Sequence, residues 1–292
     1  MSSVTHNPVL LHESVSSLAL NPTDTVVDGT FGGGGHSAAI SELITKGMLI
    51  CVDLDEAAQQ RFAEKFGSDK HVVFVAANFK DADAILASAH VSHADKVLLD
   101  LGTSTFQLLD DTRGFSFHSD TPLSMTFAAA GSHTGFTASD IVNSWDESSI
   151  ADIIYGYGEE RSARKIAHAI ISARELKRIA TAKQLADIIE AAVPRRGRIH
   201  PATKTFQALR IATNDELGTL TAAMEAWWQH LSSHGRLSII TFHSLEDRIV
   251  KQWMKAQSNG TLITKKPIAP SREELSTNPR SRSAKLRTIE KI

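Results

Sequence analysis

The chain has 292 residues, enough for one large domain or two modest ones with a real core. A hydrophobic content of 42% and a charged content of 22% are those of an ordinary globular protein and exclude a disordered or collagenous chain. The net charge of −2 hides an asymmetry: residues 1–160 carry 7 Lys/Arg against 22 Asp/Glu, whereas residues 161–292 carry 24 against 11.

Such a split points to a half that faces an anion, with nucleic acid the leading candidate. The alternative is internal, a basic segment that covers an acidic domain. The single cysteine, Cys51, lies in an apolar run and reads as a small core residue. One cysteine excludes an intrachain disulfide and multi-cysteine metal sites, and the sequence shows no metal cluster. The start, MSSVTHNPVLLHES, lacks the basic and apolar regions of a secretory signal. No run is long enough for a transmembrane helix, so no membrane partner and a cytoplasmic location are expected.

Residues 8–20 suit a short helix, closed by Pro22. The stretch TDTVVDGTFGGGGHS (23–37) then has the grammar of a nucleotide-binding turn. Thr25, Val26 and Val27 read as a buried strand ending on Asp28, followed by four glycines and a helix-compatible run. Glycines there let the backbone adopt positive φ and approach a ligand closely. The next apolar run, MLICVDLD, ends about 20 residues later on Asp53, which could accept hydrogen bonds from a ribose. Gly33, Gly35 and Ala38 fit a G-x-G-x-x-A pattern, so the motif alone does not separate a nicotinamide cofactor from S-adenosylmethionine.

Residues 55–66 suit an amphipathic helix, 71–79 a third strand, 80–90 a helix and 94–102 a fourth strand ending on Asp100. Near-continuous apolar strands alternating with helices predict an α/β fold with a parallel sheet and helices on both faces. In such sheets ligands bind beyond the carboxyl ends of the strands, where Asp28, Asp53, Phe79 and Asp100 all fall.

The alternation stops at 102–136, a long polar loop whose Phe106, Phe115 and Phe117 suggest anchoring. From 137 to 192 the pattern is helical, opening on a cap at Thr137 with Asp140 three residues on. Residues 161–211 hold 12 Lys/Arg against 3 Asp/Glu, an imbalance that favours phosphate contact over a solvated face. The stretch 194–231 reads as a basic turn, with Arg195, Arg196 and Arg198, and then one long amphipathic helix with Pro201 in its first turn. A strand over 236–244 and a helix over 245–256 resume the α/β pattern, and SRSAKLRTI could form a last strand.

Asp100-Leu101-Gly102 is the candidate for catalysis: a carboxylate at a strand end could take hydrogen bonds from an exocyclic amine as it is methylated. A turn cap, or a ligand for the cofactor's amine, is the competing role for Asp100.

Taken together, HNPVLLHESV, DGTFGGGGHS, NFKD, LLDLGTST-Q, DTRGFSF with PLSM, YGEERSARKIAHAI, HPATKTFQALRIATNDEL, TFHSLEDRIVK and NPRSRSAKLR strongly resemble the bacterial 16S rRNA cytosine-N4 methyltransferases, the MraW/RsmH family. These segments span essentially the whole chain. The resemblance implies a Rossmann-like S-adenosylmethionine-dependent methyltransferase sheet with an inserted helical domain. It divides the chain into a first core part (1–108), a loop and helical insert for substrate recognition (109–200) and a second core part (201–292).

It further implies that Gly34, Gly35 and His36 line the amino-acid end of S-adenosyl-L-methionine, that Asp53 binds its ribose and that Phe79 lies beside the adenine. Asp100 and Gln107 would complete the pocket near the target amine. The implied partner is 16S rRNA, within the small ribosomal subunit, methylated at a decoding-site cytosine that must be turned out of its stack. Phe115, Phe117, His243 and Ser244 are candidates for holding that base, although His243 could equally be a core histidine or a strand cap.

Two departures from the family pattern stand out. LGTSTFQL replaces a loop close to LGVSSPQL, so that Phe106 stands for a proline. Met125-Thr126-Phe127-Ala128 replaces an M-R-M-D tetrad, which removes an Arg and an Asp that could pair to order the loop. A non-catalytic ribosome-binding factor is therefore carried as a second hypothesis, and a nicotinamide-dependent oxidoreductase as a third. The adjacent Trp227 and Trp228 leave a homodimer open.

Overall fold

The computed structural model describes residues 7–55, 57–67, 69–110, 112–117, 120–128, 135–195 and 199–292. The chain forms two compact units, Met1–Thr105 with Leu217–Ile292, and Phe106–Glu216.

In the first unit, β1 (Thr25–Asp28), β2 (Met48–Asp53), β3 (Val72–Ala76), β4 (Ala94–Asp100), β5 (Leu231–Thr241), β6 (Gly260–Leu262) and β7 (Lys285–Lys291) form one sheet in the order β3-β2-β1-β4-β5-β7-β6. Strands β1 to β5 pair in parallel, and β7 runs antiparallel to both β5 and β6. The Rossmann-like expectation is met, including the last strand in the basic tail.

Both sheet faces are covered, and the period of two along each strand decides which side chain goes where. Val27, Val97 and Leu99 pack with Ile85, Leu86, Met224 and Trp227, which belong to α4 (Ala82–Ser88) and α11 (Glu216–His230). Val26, Leu98, Leu49 and Cys51 turn the other way, onto Leu18 of α1 (Leu11–Leu18), Ile40 of α2 (Gly35–Ser41), Ala58 and Phe62 of α3 (Ala57–Phe66) and Phe31. Cys51 is buried, and burial pushes its thiol well up, as fits a core residue. Trp227 is fully buried and Trp228 packs edge-on to Trp253, so this pair serves the core and offers no dimer surface.

The second unit is helical: α6 (Ala138–Ser144), α7 (Glu147–Gly158), α8 (Ala163–Leu176), α9 (Ala182–Ala192) and α10 (Thr203–Asn214) surround a core that includes Ile141, Ile154, Ile166, Ile170, Leu185 and Leu209. α6 opens on the expected box, with Thr137 and Asp140 each bonding the other's backbone N–H.

Several boundaries differ from the sequence reading, among them β5, expected over 236–244 and found over Leu231–Thr241. The expected single helix after 194 is two, α10 and α11, because Asp215 takes a left-handed conformation (φ 46°) that closes α10. α10 also begins at Thr203, beyond Pro201. The second break between the units accordingly falls at Glu216 and not at 200, since α10 packs against α7: a Cβ on Gly158 would meet the Lys204 carbonyl at 2.6 Å.

Candidate active site

The glycine turn folds back over the ends of β1 and β2. Phe31 N–H donates to the Val52 carbonyl (2.8 Å) and Gly32 N–H to Asp53 Oδ2 (2.8 Å). Gly34 sits at φ 67°, and a Cβ there would stand 2.6 Å from the Phe31 ring, so both conformation and space demand glycine. Gly35 opens α2, and a Cβ on it would press on Pro8 at 2.8 Å. Gly29 brings the third strand end in: its Cβ would meet Leu99 at 2.5 Å and Phe79 at 3.2 Å. The Phe79 carbonyl is fixed in turn by the Trp227 indole N–H at 2.7 Å.

Four carboxyl groups gather at these strand ends. Asp28 is buried and accepts from Ser37 Oγ (2.6 Å) and Thr30 N–H (3.2 Å); its carboxyl is nonetheless raised, chiefly by burial. Asp53 accepts from Gly32 and, at 2.8 Å, from Asp55 N–H, and burial lifts it to about 6. Each Asp53 oxygen keeps a lone pair for a hydroxyl donor. Asp55 is buried, with the Arg61 guanidinium 3.8 Å away. Asp100 N–H bonds Thr30 Oγ1 (2.7 Å), which ties β4 to the glycine turn. Burial first, and then the neighbouring Asp28 and Glu246 charges, push the Asp100 carboxyl well above its usual range.

His36 completes the group. Its Nε2 lies 3.1 Å from the Val9 carbonyl, to which it must donate, and burial lowers the imidazole to about 4. The ring is therefore neutral at physiological pH, and Nδ1, 3.7 Å from Asp100 Oδ2, carries a lone pair and no proton. Asp100 gains no counter-ion from it, and Asp100 Oδ1 is a buried acceptor without a hydrogen bond. An uncompensated acidic pocket with an orphan acceptor suits a cationic, donor-rich ligand. It opposes the pyrophosphate of a nicotinamide dinucleotide, which weighs against the oxidoreductase reading.

The structure thus brings Gly34, Gly35, His36, Asp53, Phe79 and Asp100 together at the carboxyl ends of β1 to β4. Gln107, from the short α5 (Thr105–Leu109), is buried in the helical unit. Sequence reasoning missed the supporting Thr30, Ser37 and Glu246.

His243 serves as a helix cap through its Nδ1. It is the N-cap of α12 (Ser244–Ala256): Nδ1 accepts the Glu246 N–H at 3.3 Å, while Glu246 Oε2 accepts the N–H groups of His243 (3.2 Å) and Phe242 (2.7 Å). The signal was present as H-S-L-E, a capping box with histidine in the place of Ser or Thr. Ser244 is exposed in the first turn of α12.

In the helical unit Phe115 is 9% exposed and stacks on Phe127 at 5.8 Å within the core, which corrects its expected role as a base platform. Phe117 is half-buried and stacks on His200 at 4.6 Å. Arg195 is exposed; Arg196 and Arg198 lie outside the described residues. The altered tetrad is pinned by other means than an Arg–Asp pair within it. Asn214 accepts from Phe127 N–H (2.8 Å) and donates to the Met125 carbonyl (2.7 Å), and Arg113 donates to the Phe127 carbonyl (2.7 Å).

Sheet order, glycine turn and acidic strand ends together define a Rossmann-like methyltransferase. The chain belongs to the MraW methylase family, whose model matches residues 3–292. It is 44% identical over 291 residues to the ribosomal RNA small subunit methyltransferase H of Coprothermobacter proteolyticus, covering 99% of this chain and 96% of that protein. It is 45% identical over 288 residues to the protein of the same name from Deinococcus radiodurans, covering 98% and 89%. S-adenosylmethionine is the methyl donor that family membership brings with it, and the acidic, donor-seeking pocket fits a group that carries a sulfonium and an ammonium. Among the described residues no helix is long and apolar enough to cross a membrane.

Proposed function

We propose that this protein transfers the methyl group of S-adenosylmethionine to the exocyclic N4 amine of a cytosine in the decoding region of 16S rRNA. The observation that carries the reading is Asp100 Oδ1, a buried acceptor with no partner at the end of β4, among strand ends suited to the donor. The names of the curated relatives support ribosomal RNA of the small subunit as the substrate.

The bound donor supplies an electrophilic methyl on sulfur, so the protein's task is placement and desolvation. The cytosine amine is conjugated with its ring and is a poor nucleophile. Asp100 accepts an N–H bond from it, directs the nitrogen lone pair at the methyl and takes the proton released as the C–N bond forms and the C–S bond breaks. Its raised proton affinity suits that role. His36 holds no proton at Nδ1, so it does not compete as a donor to Asp100. We assign Asp53 to the ribose hydroxyls, Phe79 to the adenine, and Gly34 and Gly35 to close backbone approach.

The helical unit is read as the substrate-recognition part. α8 presents exposed Arg161 in its leading turn and Arg164, Lys165, Lys177 and Arg178 along or just past its length, and Arg195 is exposed as well. Phe117, His243 and Ser244 remain candidates for contacting the displaced base. Methyl transfer from labelled donor to small subunits lacking the modification, with nucleoside analysis, tests the whole reading: N4-methylcytidine supports it, and label on another base or none at all refutes it.

The non-catalytic factor is the second reading, favoured only by the altered tetrad at 125–128. It predicts that Asp100→Ala leaves cellular function intact, whereas the enzyme reading predicts its loss.

A further inference from the structure

His243 and Asp100 are two buried groups of the sheet unit, each with one atom left without an aligned hydrogen-bond partner. The His243 side chain is 8% exposed, and its Nε2 has no hydrogen bond. Nε2 lies 3.1 Å from Glu246 Oε1, but out of line for a bond. Its protonation is set by the capping box: Nδ1 accepts the Glu246 N–H at 3.3 Å and can carry no proton, so the ring proton sits on Nε2. The helix cap thereby fixes a buried donor. Asp100 Oδ1 is a buried acceptor in the same condition.

The two stand at neighbouring strand ends. Asp100 pairs with Ile240 across β4 and β5, Leu101 N–H bonds the Ile240 carbonyl at 3.0 Å, and His243 follows three residues after Ile240. Glu246, in contact with His243, is close enough to Asp100 for its charge to be felt there.

Leaving buried polar atoms unpaired is costly, and a buried donor and a buried acceptor at neighbouring strand ends, both without a hydrogen bond, match a ligand edge with the opposite order. Resting on the methyl-transfer function proposed above, we infer that Asp100 Oδ1 and His243 Nε2 read the acceptor base as a pair: Asp100 takes the amine N–H, and His243 donates to the adjacent ring nitrogen. That edge, an exocyclic amine next to a bare ring nitrogen, is presented by cytosine and by adenine. Uracil and guanine present the reverse, a carbonyl next to a ring N–H, and would set acceptor against acceptor and donor against donor. His243 is thus a specificity-determining residue, and adenine is left to be excluded by its size.

The test uses full-length protein and small subunits reconstituted with 16S rRNA carrying either cytosine or 3-deazacytosine at the target position. The deaza base keeps the amine and replaces the ring nitrogen acceptor with C–H. Single-turnover methylation is compared for the wild type and His243→Ser, which retains a good N-cap but has no donor that can reach. Any effect of the ring nitrogen on the amine's own reactivity is common to both proteins, so the ratio of the two preferences isolates the contact. The preference for cytosine should fall by about tenfold in His243→Ser, with S-adenosylhomocysteine binding unchanged. Should the Ser variant fail to fold, His243→Asn, also a good cap, is judged by the same ratio. An unchanged preference in a folded variant that still makes N4-methylcytosine overturns this inference alone. A wild-type product other than N4-methylcytosine overturns the proposed function, and this inference with it.

Discussion

His36 Nδ1 stands 3.7 Å from Asp100 Oδ2, and the two do not form an ion pair. The imidazole spends its proton on the Val9 carbonyl, and burial lowers it to about 4. Asp100 is left facing a lone pair on one side and the Asp28 and Glu246 carboxylates on the others. This pocket is unfavourable until a ligand supplies donors and positive charge, a trade of stability for function.

That trade is measurable in Asp100→Asn. The folded Asp100 carboxyl is raised above its unfolded value, so it binds its proton more tightly in the folded state. Its penalty is absent below the unfolded pKa and grows as pH rises from there toward the folded value. Asp100→Asn should abolish methyl transfer yet raise stability by about 1 kcal/mol at pH 7, a gain that disappears near pH 3. Melting curves of the free protein at both pH values check this; a variant less stable than the wild type at pH 7 would contradict it.

His36 titrates with the opposite sign. Its folded pKa lies below the unfolded value, so the unfolded chain takes up the proton first as pH falls, and stability is lost between about 6.5 and about 4. His36→Gln should lessen that acid loss, by up to about 3 kcal/mol at pH 4. Denaturant unfolding across this range reads it, and parallel pH–stability curves for the two proteins would refute it.

Gly34 and Gly156 provide a paired glycine test. Gly34→Ala places a Cβ 2.6 Å from the Phe31 ring at φ 67° and should cost more than about 1 kcal/mol as well as weaken cofactor binding. Gly156 lies exposed within α7 with nothing within 4 Å of its added Cβ, and Gly156→Ala should stabilise by about 0.5–1 kcal/mol. Thermal melts and calorimetric titration with S-adenosylhomocysteine separate the two; equal effects would show that the turn does not need its glycine.

Asn214 holds both sides of the altered tetrad, through the Met125 carbonyl and the Phe127 N–H. Asn214→Ala should destabilise by about 1–3 kcal/mol and raise amide exchange over residues 124–128. Unchanged exchange there would mean that Arg113 alone suffices.

For the basic turn the expectation is electrostatic. Replacing Arg195, Arg196 and Arg198 together should weaken RNA binding and flatten its dependence on salt, the slope falling by roughly 0.7–0.9 per lost phosphate contact. An unaltered slope would assign these cations to the protein's own acidic half.

Much of the sheet unit was legible because strand burial, turn chemistry and strand-end acids all act locally. Val26 and Val27 go to opposite cores as the period of two demands, and the Gly34 conformation is written in the glycine run itself. The break at Asp215 was harder to read, since Asn214-Asp215 sits inside a helix-compatible run and only tertiary packing selects the left-handed turn. Phe115 misled for the same reason: a phenylalanine in a polar loop looks available until Phe127 and α6 close over it. The proton on His243 Nε2 depends on which backbone N–H its other nitrogen meets, and no sequence pattern states that.

The most direct measurement is methyl transfer from labelled S-adenosylmethionine to small ribosomal subunits lacking the modification, comparing the wild type with Asp100→Asn. The account predicts N4-methylcytidine from the wild type and none from the variant. Equal labelling by both proteins, or label on any other base, would contradict it.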